Sequence, residues 1–294
     1  MINMLFKGSG VALVTPFDEN NNINYEKVKE LIEFHIANKT DAIIICGTTG
    51  ESSTLSNDEK KQLIKYSVEI ANKRIQIIAG TGSNNTKIAV EMSKYAESVG
   101  ADGLLVVTPY YNKCTQDSLY LHYKEIANSV NIPIILYNVP SRTCVDISVD
   151  TIVKLSKIEN ICAIKEASSD LSKISDIISK TDNDFYVYSG NDDLTYPILC
   201  LGGAGVISVA ANIIPTQMHY MCNFVFNHDF QKAKTIHYKY FNLIKKLFIE
   251  VNPAPIKYVM NELMFNVGNL RLPLSNISEN NKKILRDEIN KVIK

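Results

Sequence analysis

Short apolar runs recur along the chain at intervals of roughly 20–33 residues. Residues 10–14, 42–46, 75–79, 103–107, 134–137, 161–165, 184–188 and 205–209 are rich in Ile, Val and Leu, and turn-forming residues bound each run. Each predicts a strand. Their near-continuous apolarity fits parallel strands covered on both faces. Helix-period segments lie between them. Over 25–38 the apolar stripe is Val28, Leu31, Ile32, His35 and Ile36, the spacing of one helix face. Over 57–71, Asn57 reads as the capping residue, and Asp58 and Glu59 sit in the first turn, where the helix dipole favours acids. Residues 86–99, 116–130, 148–155 and 171–179 read as helices too, and the last two strand connections leave room only for short ones.

Strict alternation of eight strands with helices predicts an α/β fold, a (β/α)8 TIM barrel over residues 1–222. A C-terminal helical domain over 223–294 follows, a three-helix extension at 230–250, 253–264 and 278–293. An open doubly wound sheet is the competing fold. It would carry a glycine-rich phosphate fingerprint after its first strand. Residues 10–16 hold none, and Gly80-Thr-Gly82 lacks the third glycine.

Composition narrows the function. The 294 residues carry 31 Lys+Arg and 31 Asp+Glu, so the net charge is zero; a nucleic-acid partner is not expected. No apolar run approaches the roughly 20 residues of a membrane helix, and the N-terminal MINMLFKGSG lacks the apolar core of a signal peptide. A soluble, cytoplasmic protein is expected. Six cysteines form no CxxC pair, and five histidines show no HxH or HExxH spacing, so no metal is expected. Cys46, Cys162 and Cys200 read as small core hydrophobes.

A barrel's chemistry sits at the C-terminal ends of its strands. Those ends present Thr48, Thr49, Tyr110, Tyr111, Tyr137, Lys165, Glu166, Gly190 and Ile207. Lys165 is the sharpest signal. Alternation places Ile161, Ala163 and Lys165 on one strand face and Cys162, Ile164 and Glu166 on the other. Either the strand ends early and Lys165 is solvated, or the lysine is desolvated and reacts with a carbonyl as an imine-forming amine. Thr48 and Thr49, in a glycine-bounded loop, suit a small anion, and Arg142 could fork onto a carboxylate.

The motifs GTTGE (47–51), PYYN (109–112), YNVPSRT (137–143), AIKEAS (163–168), YSGND (188–192) and GAGVISV (203–209) stand in order along the chain. In this the sequence resembles the dihydrodipicolinate synthase / N-acetylneuraminate lyase family of pyruvate-dependent aldolases. The resemblance implies that Lys165 forms a Schiff base with pyruvate and that Tyr137, Thr48 and Tyr111 relay protons. Thr48 and Thr49 would hold the pyruvate carboxylate, and Arg142 the carboxylate of L-aspartate 4-semialdehyde. Gly190 and the Ile207 backbone would complete the pocket. No cofactor is implied beyond the covalent substrate.

Tyr111 would reach a neighbouring subunit, which implies a homo-oligomer, a dimer of tight dimers. Thr48 and Arg142 favour the synthase over a lyase acting on a sugar-derived keto acid; a silent keto-acid-sensing barrel is the other alternative. Cys114 and Asn191 depart from the family pattern without touching the chemistry. Lysine-inhibited members bind lysine through positions matched here by Ser52, Ser53, Asn84 and Tyr110. Asn57 and Lys60 replace histidines and Ile88 replaces a glutamate, so insensitivity to L-lysine is expected.

Overall fold

The structure is a computed structural model that describes residues 4–292. Eight parallel strands, β1 (Gly8–Ala12), β2 (Ala42–Ile45), β3 (Gln76–Gly80), β4 (Gly103–Val107), β5 (Ile134–Asn138), β6 (Ile161–Glu166), β7 (Tyr186–Ser189) and β8 (Gly205–Ser208), pair in chain order, and β8 returns to β1 to close a barrel. Helices α1 (Tyr25–Ala37), α2 (Asn57–Ala71), α3 (Thr86–Ser98), α4 (Gln116–Ala127), α5 (Pro140–Thr143), α6 (Val149–Leu155), α7 (Leu171–Lys180), α8 (Thr195–Cys200) and α9 (Pro215–Phe226) follow the strands. The tail adds α10 (Phe230–Lys246), α11 (Ala254–Glu262) and α12 (Glu279–Val292). The expected junction at 222/223 falls inside α9, and the predicted last residue of the final helix, Ile293, lies outside the described residues.

Two apolar clusters fill the molecule. The larger lies between strands and helices and includes Val11, Ile43, Ile77, Leu104, Ile134 and Ile164. The smaller lines the barrel interior: Ala12, Ile44, Ile78, Leu105, Ile135, Ala163, Tyr188 and Ile207 alternate with it along the same strands. Burial on both faces explains why the strands read as apolar runs.

Four readings need correction. The first strand begins at Gly8, two residues earlier than predicted, because Gly-Ser-Gly is not apolar; small residues are needed there, since a Cβ on Gly205 would stand 2.0 Å from Gly8 O. Strand β6 does not alternate cleanly. Ile134 pairs with Ile161 but Ile135 pairs with Ala163, so a bulge turns Cys162 inward and leaves Ile161 with the outer cluster. The cap of α2 is Ser56, which accepts from Glu59 N at 3.1 Å while the Glu59 carboxylate accepts from Ser56 N at 2.8 Å; this capping box is worth about 1 kcal/mol. Cys200 is exposed, whereas Cys222 joins Cys46 and Cys162 as a buried thiol.

Candidate active site

Strand β6 runs to Glu166, so Lys165 is inside the ladder, paired with Tyr137 on one side and Tyr188 on the other. It is 6% exposed, and its Nζ stands 4.4 Å from the centre of the Tyr137 ring. Among the described residues the ammonium makes no hydrogen bond or ion pair. The Tyr188 hydroxyl is committed elsewhere, to Phe6 O at 2.5 Å, and its ring stacks on Phe6. Burial pushes the Tyr188 phenol well above the usual range, so it stays protonated at neutral pH. Tyr137, by contrast, donates to no acceptor among the described residues. Asp192 is buried behind the lysine. Its carboxylate accepts from Val209 N and Ala210 N, both at 2.9 Å. Burial raises its pKa, against the pull of Ser208, these amides and Lys165.

The partners of Tyr137 and Lys165 on the outer strand face are Asn138 and Glu166, themselves register neighbours and buried. Asn138 Nδ2 donates to both Glu166 oxygens at 3.0 and 2.9 Å, and Asn138 Oδ1 accepts from Ile147 N. Glu166 also accepts from Ser168 N at 2.7 Å and faces Lys173 at 3.5 Å. This satisfied network fixes the strand ends from outside. Gly190 N donates to Glu166 O at 2.8 Å, and a Cβ on Gly190 would stand 2.6 Å from Ala167 Cβ, so only glycine fits there.

Thr48 and Arg142 come together. With Ser52, Lys60, Tyr110 and Val139 they line a cavity of about 270 Å3. The loop that carries Thr48 is a tight turn, with Gly50 N on Gly47 O and Glu51 N on Thr48 O, each at 3.1 Å. Glu51 leaves it in the left-handed region (φ 54°) and buries its carboxylate against Lys257, 2.6 Å away. Lys257 also donates to Asn269 O and lies over the Phe17 ring. Burial lowers its pKa to about 8 even though Glu51 pulls it up.

Thr49 does not line this cavity. It is buried, and its hydroxyl accepts from Asn252 Nδ2 at 3.0 Å, while Asn252 O accepts from Arg142 at 3.3 Å. Tyr111 stands apart from the other candidates. It is 92% exposed, with φ +72°. Ile207 is buried in the barrel interior with Tyr137 and Tyr188.

Sequence reasoning missed Asn252, Lys257 and the Asn138–Glu166 pair. The only signal for Lys257 was a lone lysine inside an apolar helical stretch. Most of the expected lysine-site positions converge: Ser52, Asn57, Lys60, Asn84, Ile88 and Tyr110 line an adjoining cavity of about 210 Å3, whereas Ser53 lines the cavity of about 270 Å3. A cavity of about 450 Å3, lined by Lys7, Phe185 and Phe226, opens at the opposite, N-terminal end of the strands.

Comparison with known proteins places these features. The chain is 54% identical over 285 residues to the 4-hydroxy-tetrahydrodipicolinate synthase 1 of Clostridium acetobutylicum, covering 97% of each protein. It superposes on the dihydrodipicolinate synthase of Aquifex aeolicus with a TM-score of 0.96 at 49% identity, covering 97% of this chain and 98% of that one. The lysine-bound enzyme of Cyanidioschyzon merolae matches with a TM-score of 0.96 at 38% identity over 99% of each. The sequence model of the dihydrodipicolinate synthetase family matches residues 5–292. With the barrel closed, the lysine buried on its sixth strand and the match running end to end, the chain belongs to the dihydrodipicolinate synthetase family.

Proposed function

We propose that the protein acts as a 4-hydroxy-tetrahydrodipicolinate synthase, condensing pyruvate with L-aspartate 4-semialdehyde in the cytoplasm. The observation that carries this reading is Lys165: an amine at a rigid strand end, nearly inaccessible, with a phenol beside it and, among the described residues, no hydrogen bond or ion pair. A buried lysine left without a direct partner is costly, and a reactive amine is a use for it.

Lys165 Nζ attacks the pyruvate carbonyl, and water leaves as the imine forms. Loss of a methyl proton gives the enamine, whose carbon attacks the aldehyde. The α-amine of the aldehyde substrate then attacks the imine carbon, and the bond to Lys165 breaks as the ring closes. Tyr137 donates to no acceptor among the described residues, so its hydroxyl is available to carry protons to and from the bound substrate, with Thr48 next in the relay. Thr48 and Thr49 hold the pyruvate carboxylate, Thr49 being oriented by Asn252. Arg142 takes the aldehyde's carboxylate in the cavity it shares with Thr48. Gly190 and Ile207 close the wall.

The isolation of Tyr111 supports a shared site. Its exposed ring suits a place in a second copy's relay, within a homo-oligomer of paired tight dimers. Mixing Tyr111→Phe with Lys165→Ala protomers tests this: hybrid dimers regain turnover, and no regain after verified subunit exchange would refute sharing.

The decisive experiment is borohydride reduction with pyruvate, followed by peptide mass analysis and an aldehyde-consumption assay. The Lys165 peptide gains a pyruvate-derived mass, and the enzyme consumes L-aspartate 4-semialdehyde. An adduct on another lysine, or none, would overturn the assignment.

A further inference from the structure

Lys60 sits in the second turn of α2, half-buried, in the wall between the cavities of about 270 and 210 Å3. Its neighbours are spoken for. Glu59 is held by Arg271 at 2.6 Å and by Ser56 N. Lys61 lies over the Tyr95 ring, and Lys65 faces Glu69. Among the described residues the Lys60 ammonium has neither a hydrogen bond nor an ion pair. Burial lowers its pKa, with the Cys46 thiol the one group pulling the other way. That thiol is itself pushed up to about 12, so it is neutral and offers no counter-charge.

The linings of the two cavities add a second observation. Apart from the two cations, their polar residues are all hydroxyl- or amide-bearing, Thr48, Ser52 and Asn84 among them, and they contain no Asp or Glu. Lys60 and Arg142 therefore face one concavity with hydroxyl and amide donors around them and no acid between them. Two like charges in a shared, partly desolvated space repel until an anion joins them.

We infer that Lys60 is a second cation for the carboxylate of the aldehyde substrate, a specificity-determining residue that acts with Arg142 in the same cavity. The inference rests on the function proposed above and adds to it. The cavity selects a carboxylate-bearing aldehyde by paired charge, not by Arg142 alone. Lys60 takes no part in imine formation.

Salt dependence separates this role from a structural one. At about 10 mM salt the Debye length is about 30 Å, and at about 1 M it is about 3 Å. Lys60→Met is expected to lower kcat/KM for L-aspartate 4-semialdehyde roughly 5- to 20-fold at low salt, with a smaller loss at high salt. Borohydride trapping of pyruvate should stay within about twofold of wild type, and Lys60→Arg within about threefold on every measure. Lys60→Gln carries the same contrast should the methionine variant fold poorly. A loss under twofold at low salt, a loss indifferent to salt, or equal damage to pyruvate trapping would overturn the inference. A wild-type enzyme that does not consume the aldehyde would overturn the proposed function, and this inference with it; wild-type turnover with an unaffected Lys60→Met would overturn the inference alone.

Discussion

Among the described residues two lysines are buried, and they solve the cost of burial in opposite ways. Lys257, 2% exposed, stands 2.6 Å from the Glu51 carboxylate, donates to Asn269 O and rests on the Phe17 ring. The carboxylate, the carbonyl and the ring all stabilise its charge, against the nearby Arg271. Lys165, 6% exposed, has a phenol ring at 4.4 Å and, among the described residues, no hydrogen-bond acceptor. The first holds the loop bearing Thr48 against the C-terminal helices. The second keeps its nitrogen free for a carbonyl. A buried charge with a full set of partners is architecture; one without them is chemistry.

Removing each lysine breaks the comparison in a different observable. Lys165→Ala should cost more than about a thousandfold in turnover, abolish the pyruvate adduct and leave thermal stability undiminished, since an unpartnered buried group is lost. Lys257→Met should do the reverse. It leaves the buried Glu51 carboxylate without its counter-ion and with the Arg271 N–H as its remaining donor, which costs roughly 3–5 kcal/mol in a urea titration, and turnover falls only as far as the 47–51 loop loosens. If Lys165→Ala unfolds the protein while Lys257→Met leaves it stable, the contrast is refuted.

Arg142→Ala sharpens the division of labour at the site. Losing a charge-assisted bond of roughly 1.5–3 kcal/mol predicts a 10- to 150-fold fall in kcat/KM for the aldehyde, with pyruvate trapping nearly intact. Equal damage to both would assign Arg142 to pocket shape instead.

His35 supplies a third solution to burying a base. It is fully buried, its Nδ1 is 2.8 Å from Thr40 Oγ1, and desolvation lowers its pKa from 6.5 to about 3. It escapes the cost by shedding its proton. Because the folded pKa lies below the unfolded one, this contribution is complete above pH 6.5 and is lost as pH falls toward 3, at up to about 1.4 kcal/mol per pH unit. Urea midpoints measured across that window should fall with acidity, and less steeply in His35→Gln. The smallest expected effect concerns L-lysine. The cavity of about 210 Å3 presents Lys60 and Ile88 and no acid to a ligand ammonium, so millimolar L-lysine should change the rate by less than about twofold. Strong inhibition below a millimolar would refute this.

Much of the barrel was legible because buried parallel strands must be apolar on both faces, and that pattern survives in one dimension. It failed where another force set the residues. Gly8-Ser9-Gly10 is small because the β1–β8 approach is tight, and Cys162 faces inward because a bulge interrupts the alternation of β6. At the candidate site, residues at strand ends were legible one strand at a time. Those that position them were not, because Asn252 and Lys257 come from a tail some 200 residues beyond the loop they hold.

The sequence by itself determined the alternation of elements, the closure number of the barrel and the candidate lysine, because periodicity and residue chemistry are local properties. Only the tertiary structure decided which polar groups are paired. Lys60, Lys165 and Lys257 are indistinguishable as letters. Whether each meets a carboxylate, a ring or a cavity depends on chain segments brought together by packing, and that pairing decides whether a charge stabilises the fold or is left free to act.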